Sequence, residues 1–227
     1  MNFVGDHFKE DGDWIWTSFC SEEKYLLGIH ADGRGRTIAE RFVNGELDKL
    51  KGGHMPFFVT DGYKPYSDIL FTRYSFYRIG NRGRGRHGRD KLVPDPGLNY
   101  GIVEKTRKGK RLETVRRFVR FGHVPEELLN TSAIERDNLT NRLFSSRLRR
   151  RTTTFSRSKE TVELSLQIHK AFYNLCRPHG SLSIPRRMNN GIYVHVTPAM
   201  KMGLTTRVWT LHEIMKFPYR QNINQIR

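Results

Sequence analysis

Two acids in this sequence stand where carboxylates could act on a phosphate ester. Asp61 closes a short apolar run, PFFVTDG, which leaves an acid at the end of a core strand. Glu135 lies in TSAIERDN, in the first turns of a helix. Hydrolysis or transesterification of a phosphodiester is commonly carried out by two divalent ions about 3.5–4 Å apart, one activating the nucleophile and one steadying the leaving oxygen. Mg²⁺ takes hard oxygen ligands, so a small set of converging carboxylates is what holds it. Each acid also has an ordinary structural use. Asp before Gly is a frequent turn residue, and Glu in a first helical turn favours the helix dipole. The surroundings of Glu135 suit an anionic substrate: Arg136 and Arg142 share its helix, and Arg147-x-Arg149-Arg150-Arg151 follows.

The charge of the chain is regional. Lys and Arg total 40 against 23 Asp and Glu, a net +17. Residues 1–70 carry 8 basic and 12 acidic residues, so the remaining chain holds 32 against 11, a net +21. An excess of that size favours a polyanion, because each cation placed on a phosphate releases condensed counterions. No run approaches the length of apolar sequence that a bilayer span requires, and MNFVGDHFKEDGD lacks the order of a secretion signal. The expectation is a cytoplasmic protein with no membrane partner, whose Cys20 and Cys176 stay reduced. Cys176-x-x-His179 with His169 upstream is an incomplete zinc ligand set.

The elements that must position these residues follow from pattern. WIWTSF (14–19) and KYLLGIH (24–30) suggest two antiparallel strands joined by a polar turn. Thr37 with Glu40 suggests a capping box, opening a helix with Ile38, Phe42, Val43, Leu47 and Leu50 at helical spacing and Gly52-Gly53 at its end. PFFVT then reads as a buried strand, YSDILFTRY as a helix and FYRIG as a further strand. Residues 81–97, which include Arg84 and Arg86, read as a loop; the glycines at 83, 85 and 88 fit G-x-G-x-x-G, but no apolar helix follows, which excludes a dinucleotide site. This loop is either a solvated linker or a basic arm lying along nucleic acid. Residues 101–122 alternate around a Lys-Gly-Lys turn and suggest a hairpin with one strongly cationic face. Helices follow over about 132–147 and 159–176, the second apolar on more than one side, and TLHEIMKF (210–217) suggests a last short one. These elements imply an α/β fold, a mixed sheet with helices packed on it.

Several strings in order resemble a known family. TSAIERDNLTNR, then RRRTTTFSRS, FYNLCRPHGSL and TPAMKMGL are similar to the C-terminal part of insertion-sequence transposases of the DDE class, and WIWTSFCSEEKYLLGIHADGR and PFFVTDGYKPY to their earlier segments. The resemblance implies a ribonuclease H-like mixed sheet flanked by helices, here with a basic loop and hairpin inserted at about 81–122. It implies a catalytic domain over 1–180 and an extension over 181–227. It further implies three acids holding two Mg²⁺ or Mn²⁺ ions to cut and rejoin DNA, the partners being transposon ends and target DNA, with a homodimer as a further possible partner. On this resemblance Asp61 and Glu135 are the second and third catalytic, metal-binding acids. Arg84, Arg86, Arg136, Asn138, Arg142, Arg149, Arg150, Arg151, Arg177 and His179 are DNA-binding candidates, Asn138 and Arg142 falling three and seven residues after Glu135 on its helical face and Arg177, Pro178 and His179 matching an Arg-Pro-His element.

The family's first acid lies in an Asp-Glu pair ahead of an aromatic and Phe-Val segment, which NFVG (2–5) matches here. The expectation is therefore an N-terminally truncated transposase that binds DNA and is weak or dead in strand cleavage, with Asp6, Asp11 and Asp13 in a solvated turn. A non-catalytic basic nucleic-acid-binding protein using residues 82–120 is the alternative, and a remnant that poisons a full-length enzyme through mixed dimers is a third reading.

Overall fold

The computed structural model describes residues 2–7, 14–50, 55–80, 88–109, 111–144, 158–185 and 193–217; of residues 2–7, 141–144, 185 and 193 it describes the backbone alone. The chain opens with β1 (Asn2–His7), β2 (Trp14–Cys20) and β3 (Tyr25–Asp32), an antiparallel meander. Helix α1 (Arg36–Leu47) leads to β4 (Phe58–Asp61), which returns parallel to β1. Next come α2 (Lys64–Arg73), β5 (Ser75–Arg78), β6 (Lys91–Pro94), β7 (Tyr100–Lys108) and β8 (Arg111–Phe121). The final third holds α3 (Ser132–Phe144), α4 (Lys159–Leu175), β9 (Ile184–Pro185), β10 (Tyr193–Val194), α5 (Pro198–Lys201) and α6 (Leu211–Lys216).

Six strands form one mixed sheet in the order β3-β2-β1-β4-β7-β8, with β4 parallel to both neighbours and β8 antiparallel to β7. Both faces are covered, which is why the inner strands read as nearly continuous apolar runs. Side chains alternate along β2: Trp16 joins a cluster with Phe42, Val43 and Leu47 of α1 and Tyr66, Ile69 and Leu70 of α2, whereas Ile15 and Phe19 join Ile134 of α3 and Val162 and Leu166 of α4. Helices α1 and α2 therefore pack on one face and α3 and α4 on the other. The α/β architecture expected from the pattern is the one observed.

The β3 edge is closed by α4 in an unusual way. Asn174 accepts from the Leu26 amide at 3.0 Å and donates to the Leu26 carbonyl at 2.9 Å, so one side chain takes both hydrogen bonds of a missing strand. Gln167 donates to the Ile29 carbonyl at 3.0 Å, and Glu163 accepts from the Ala31 amide at 3.0 Å. These polar residues share one stripe of α4 and pair the edge that would otherwise recruit another chain. The helix is accordingly one-sided: Leu164 is 59% and Ile168 44% exposed, against the sequence expectation of burial on more than one side.

Other local expectations change for physical reasons. Helix α1 has Gly35 at its N-cap with no side-chain cap, and Thr37 lies inside the helix. Glu40 binds the Arg36 guanidinium at 3.0 Å instead of reaching back to a capping residue. The strand in FYRIG does not extend the main sheet. It pairs with β6 as a separate antiparallel ribbon, and β6 falls within the stretch read as a loop. Asp6 belongs to β1, opposite Ile15, and not to a turn, while Asp11 and Asp13 lie outside the described residues. Cys20 and Cys176 are free thiols. Among the described residues no helix is long and apolar enough to cross a membrane. The segment after β10 packs back on α4, with the Trp209 amide donating to the Leu175 carbonyl at 3.0 Å.

Two stability predictions follow from this packing. Replacing Asn174 by Ala strands two buried backbone groups and should lower unfolding free energy by about 2 kcal/mol or more in urea titration, at about 1–3 kcal/mol per orphaned group. Burial, with the Arg177 charge second, holds the His169 imidazole down to about 4. The unfolded chain then takes up a proton that the folded chain refuses, so the stability linked to His169 is full above the ordinary histidine value and is lost as pH falls from there toward 4. Urea midpoints measured across that window should fall with pH, and His169→Gln should flatten the slope.

Candidate functional site

Strand β4 is four residues long, and its register fixes the position of Asp61. Phe58 and Thr60 face the α1/α2 side, where the Thr60 hydroxyl meets the Tyr100 hydroxyl at 2.8 Å; Val59 faces the opposite side with Val103, Val124 and Leu129. Asp61 comes last, at the C-terminal end of β4, level with Val103 of β7, which runs on to Lys108. Its carboxylate accepts the Tyr63 amide at 3.1 Å, which turns the chain into α2. Buried Tyr66 is held well above its ordinary phenol value by burial first and then by the negative charge of Asp61. The acid therefore sits where β4 ends between two longer strands, and its field reaches into the α1/α2 core.

Glu135 approaches the same end of the sheet from the other face. Helix α3 is anchored by Ile134, which is fully buried against Ile15, Phe19 and Ile29. That anchor sets Glu135 one residue on, partly exposed, at the helix start. Its carboxylate accepts the Thr131 hydroxyl at 2.7 Å and pairs with the Lys105 ammonium. Lys105 lies two residues beyond Val103 on β7, one pleat repeat, or roughly 7 Å, past the level of Asp61. The two acids are thus brought to one end of the β4–β7 pair, and Glu135 carries a resident cation.

Beyond that point β7 and β8 leave the sheet as a ribbon. Five more residues separate Val103 from Lys108, so the ribbon reaches roughly 17 Å past the level of Asp61. It turns at Gly109, whose φ of +60° suits a residue without a Cβ. Lys105, Arg107, Lys108, Arg111, Arg116 and Arg117 line it, and at its tip Lys108 stands directly opposite Arg111. Like charges in register repel, so nothing within the ribbon favours this pair. The cations are not confined to one face as the sequence pattern suggested: Arg116 stands opposite Glu104 and Arg117 opposite Val103, and successive residues of a strand point to opposite sides.

Of the DNA-contact candidates, the structure brings three together. Arg136 on α3, with Arg177 and His179 after α4, lines a cavity of about 760 Å³ that also includes Lys24 and Tyr173. Burial, then the charges of Arg177, Lys24 and Arg136, push the His179 imidazole below its usual range. Asn138 is placed otherwise. It is 8% exposed and faces the buried Thr17 hydroxyl at 3.4 Å, so it ties α3 to β2 instead of presenting an amide to a ligand. The backbone of Arg142 is in α3 and its side chain is not described; Arg84, Arg86, Arg149, Arg150 and Arg151 lie outside the described residues. Sequence reasoning did not single out Lys105, Thr131 or Lys24. Lys105 was visible only as one cation among many in 101–122, because its pairing with Glu135 depends on how α3 crosses the sheet.

Among the described residues no group of three or more His, Cys, Asp or Glu side chains is arranged to hold a metal ion. Asp61 and Glu135 are acids of the right chemistry for Mg²⁺, and the Lys105 ammonium pairs with one Glu135 carboxylate oxygen. The described side chains therefore do not by themselves fit a two-ion centre. No protein-family model, curated protein or solved structure is significantly similar to this chain.

The burial of Asn138 gives its side chain a structural role. Asn138→Ala should lower stability by about 1–2 kcal/mol in urea titration, through the orphaned Thr17 hydroxyl. Arg136→Ala, at the wall of the cavity, should leave the urea midpoint nearly unchanged in the same titration.

Proposed function

We propose that this protein is a transposase-type DNA-binding protein of the ribonuclease H-like class, with Asp61 and Glu135 at its reaction edge and strand cleavage impaired. The observation that carries the reading is the root of the cationic ribbon. In a sheet ordered β3-β2-β1-β4-β7-β8, β4 ends on Asp61, and past that level β7 and β8 project Lys105, Arg107, Lys108 and Arg111. A duplex lying along the ribbon would satisfy the Lys108–Arg111 repulsion with phosphates and would bring its backbone to the two acids. The resemblance of TSAIERDNLTNR and FYNLCRPHGSL to insertion-sequence transposases supports the same assignment.

The chemistry assigned to this chain is correspondingly limited. Ribbon cations bind and orient the backbone, and Asp61 and Glu135 mark the edge at which a phosphodiester would be presented. A divalent ion would supply the activation of the attacking oxygen, but the described acids do not make a site for it, and no step is assigned through it. The pairing of Glu135 with Lys105 favours, as the second reading, a protein that binds nucleic acid with no catalytic step.

Binding should fall steeply with salt. The Arg107→Ala/Lys108→Ala/Arg111→Ala variant should lose roughly 0.9 from the slope of log affinity against log salt for each cation removed. With Mg²⁺ or Mn²⁺ and supercoiled plasmid, at most slow nicking is expected, absent in Asp61→Asn and Glu135→Gln while both variants still bind. Absence of salt-dependent DNA binding sinks the reading. Rapid nicking that both acid variants abolish would overturn the impairment and keep the acids, whereas nicking that both retain would remove them.

A further inference from the structure

Arg34 differs from the arginines near it in the chain. It lies two residues past the end of β3 and is exposed, yet the backbone there is pinned twice. The Trp16 indole donates to the Gly33 carbonyl at 3.1 Å, and the Tyr63 hydroxyl donates to the Arg34 carbonyl at 2.6 Å. The guanidinium lies over the Trp14 ring, 4.3 Å from its centroid, and 5.3 Å from the centroid of the Tyr63 ring. Its neighbours are matched with acids, Arg36 with Glu40 and Asp68 and Arg41 with Asp32. Among the described residues the Arg34 guanidinium has these two ring contacts and no hydrogen bond or ion pair. Aromatic contact occupies the flat face of a guanidinium and leaves the N–H donors in its plane unspent.

The position of Arg34 gives those donors a use. Arg34 and Asp61 line one small cavity of about 30 Å³ with Trp14, Trp16, Tyr63 and Tyr66, so the unmatched cation is a near neighbour of the acid that ends β4. That acid lies between two walls. On one side Phe3 is level with Thr60 and β1 continues to His7, whose partner Trp14 stands opposite Asp32. This wall therefore rises roughly 10 Å past Asp61, with Arg34 near its top. On the other side the β7–β8 ribbon rises with Lys105, Arg107 and Lys108. Trp14 and Tyr63 pack against the α1/α2 cluster, so Arg34 comes to the edge from that face, whereas Lys105 pairs with Glu135 of α3 on the other. The ribbon alone would hold a DNA backbone on one side of Asp61. A planar fork of donors on the opposite wall supplies a second hold, and the oxygens of a phosphate match it two at a time.

We propose that Arg34 is a phosphate-positioning residue. Its guanidinium, steadied by Trp14 and Tyr63, takes a backbone phosphate of DNA beside Asp61 and fixes the strand across the reaction edge. The proposal rests on the DNA-binding function and adds to it a contact outside the ribbon.

The test compares the full chain with Arg34→Gln and Arg34→Lys by anisotropy on a fluorescein-labelled duplex over a range of salt, with a urea titration of each. Arg34→Gln should bind about tenfold more weakly at low salt, the scale of one charge-assisted hydrogen bond, and should lose roughly 0.9 from the slope of log affinity against log salt. Arg34→Lys keeps the charge without the planar fork, so it should keep the slope and lose part of the affinity. In a double-mutant cycle, Asp61→Asn should strengthen binding by the parent more than binding by Arg34→Gln, because only the parent holds a phosphate beside the acid. A parental slope in Arg34→Gln overturns the proposal. So does a lowered urea midpoint with unchanged binding, which would make Arg34 a cover for the Trp14 ring. Strict additivity with Asp61→Asn places the contact elsewhere and overturns it too. A parent with no salt-dependent duplex binding instead refutes the DNA-binding function on which the proposal rests.

Discussion

The parallel pairing of β4 with β1 on one side and β7 on the other is the interaction on which the rest of this structure depends. β4 has only four residues, and its backbone is held on both edges, Val59 and Thr60 against Asn2 and Phe3 and the whole strand against Tyr100 to Val103. A strand so short and so central cannot slip. A shift of one residue would send Phe58 and Thr60 to the α3 side and break the Thr60–Tyr100 contact. Because the register is fixed, the residue that ends β4 is fixed between its two longer neighbours, and that residue is an acid.

The same pairing decides where charge goes. β7 leaves β4 at the level of Asp61 and continues outward with β8, so the cations of the ribbon begin where the acids end. Helix α3 crosses the opposite face, anchored by Ile134 and by Asn138 on Thr17, and delivers Glu135 to Lys105. The ion pair is partly solvent-exposed, so it adds little to stability and its significance is positional. It records that α3 and β7, thirty residues apart at this pair, meet one pleat repeat past the level of Asp61.

The two edges of the sheet are treated differently. β3 is sealed by Asn174, Gln167 and Glu163 of α4, which supply the hydrogen bonds of an absent strand. β8 instead carries Arg111, Arg116, Arg117 and Arg120 along its length. Charge on an edge discourages pairing with another strand while leaving the surface open to a polyanion. The small β5–β6 ribbon repeats the theme at the opposite end, with Arg78 against Lys91 in register.

Much of the fold was legible in the amino-acid order, because strands and helices write their periods into local sequence. WIWTSF and KYLLGIH pair as read, PFFVT ends on Asp61 as a buried strand, and the hairpin of 101–122 and the helices at 132 and 159 stand where the patterns put them. Apart from the Thr37–Glu40 cap, where the local Arg36–Glu40 pair formed instead, the readings that changed depended on a partner in another element. Asn138 matches a surface role by spacing but is buried, because β2 supplies Thr17 beneath it; FYRIG is a strand, but its partner is β6 and not the sheet; Leu164 and Ile168 look like core, but α4 turns Val162, Leu166 and the hydrogen-bonding Asn174 toward the sheet and leaves these two exposed. By itself the sequence determined the element types, the regional cationic charge and the two acids that stand out within it. Only the tertiary structure decided that Glu135 is matched with Lys105 and that the cations divide between two ribbons and one cavity, because such contacts are set by how distant segments cross a sheet and leave no periodic trace in either segment alone.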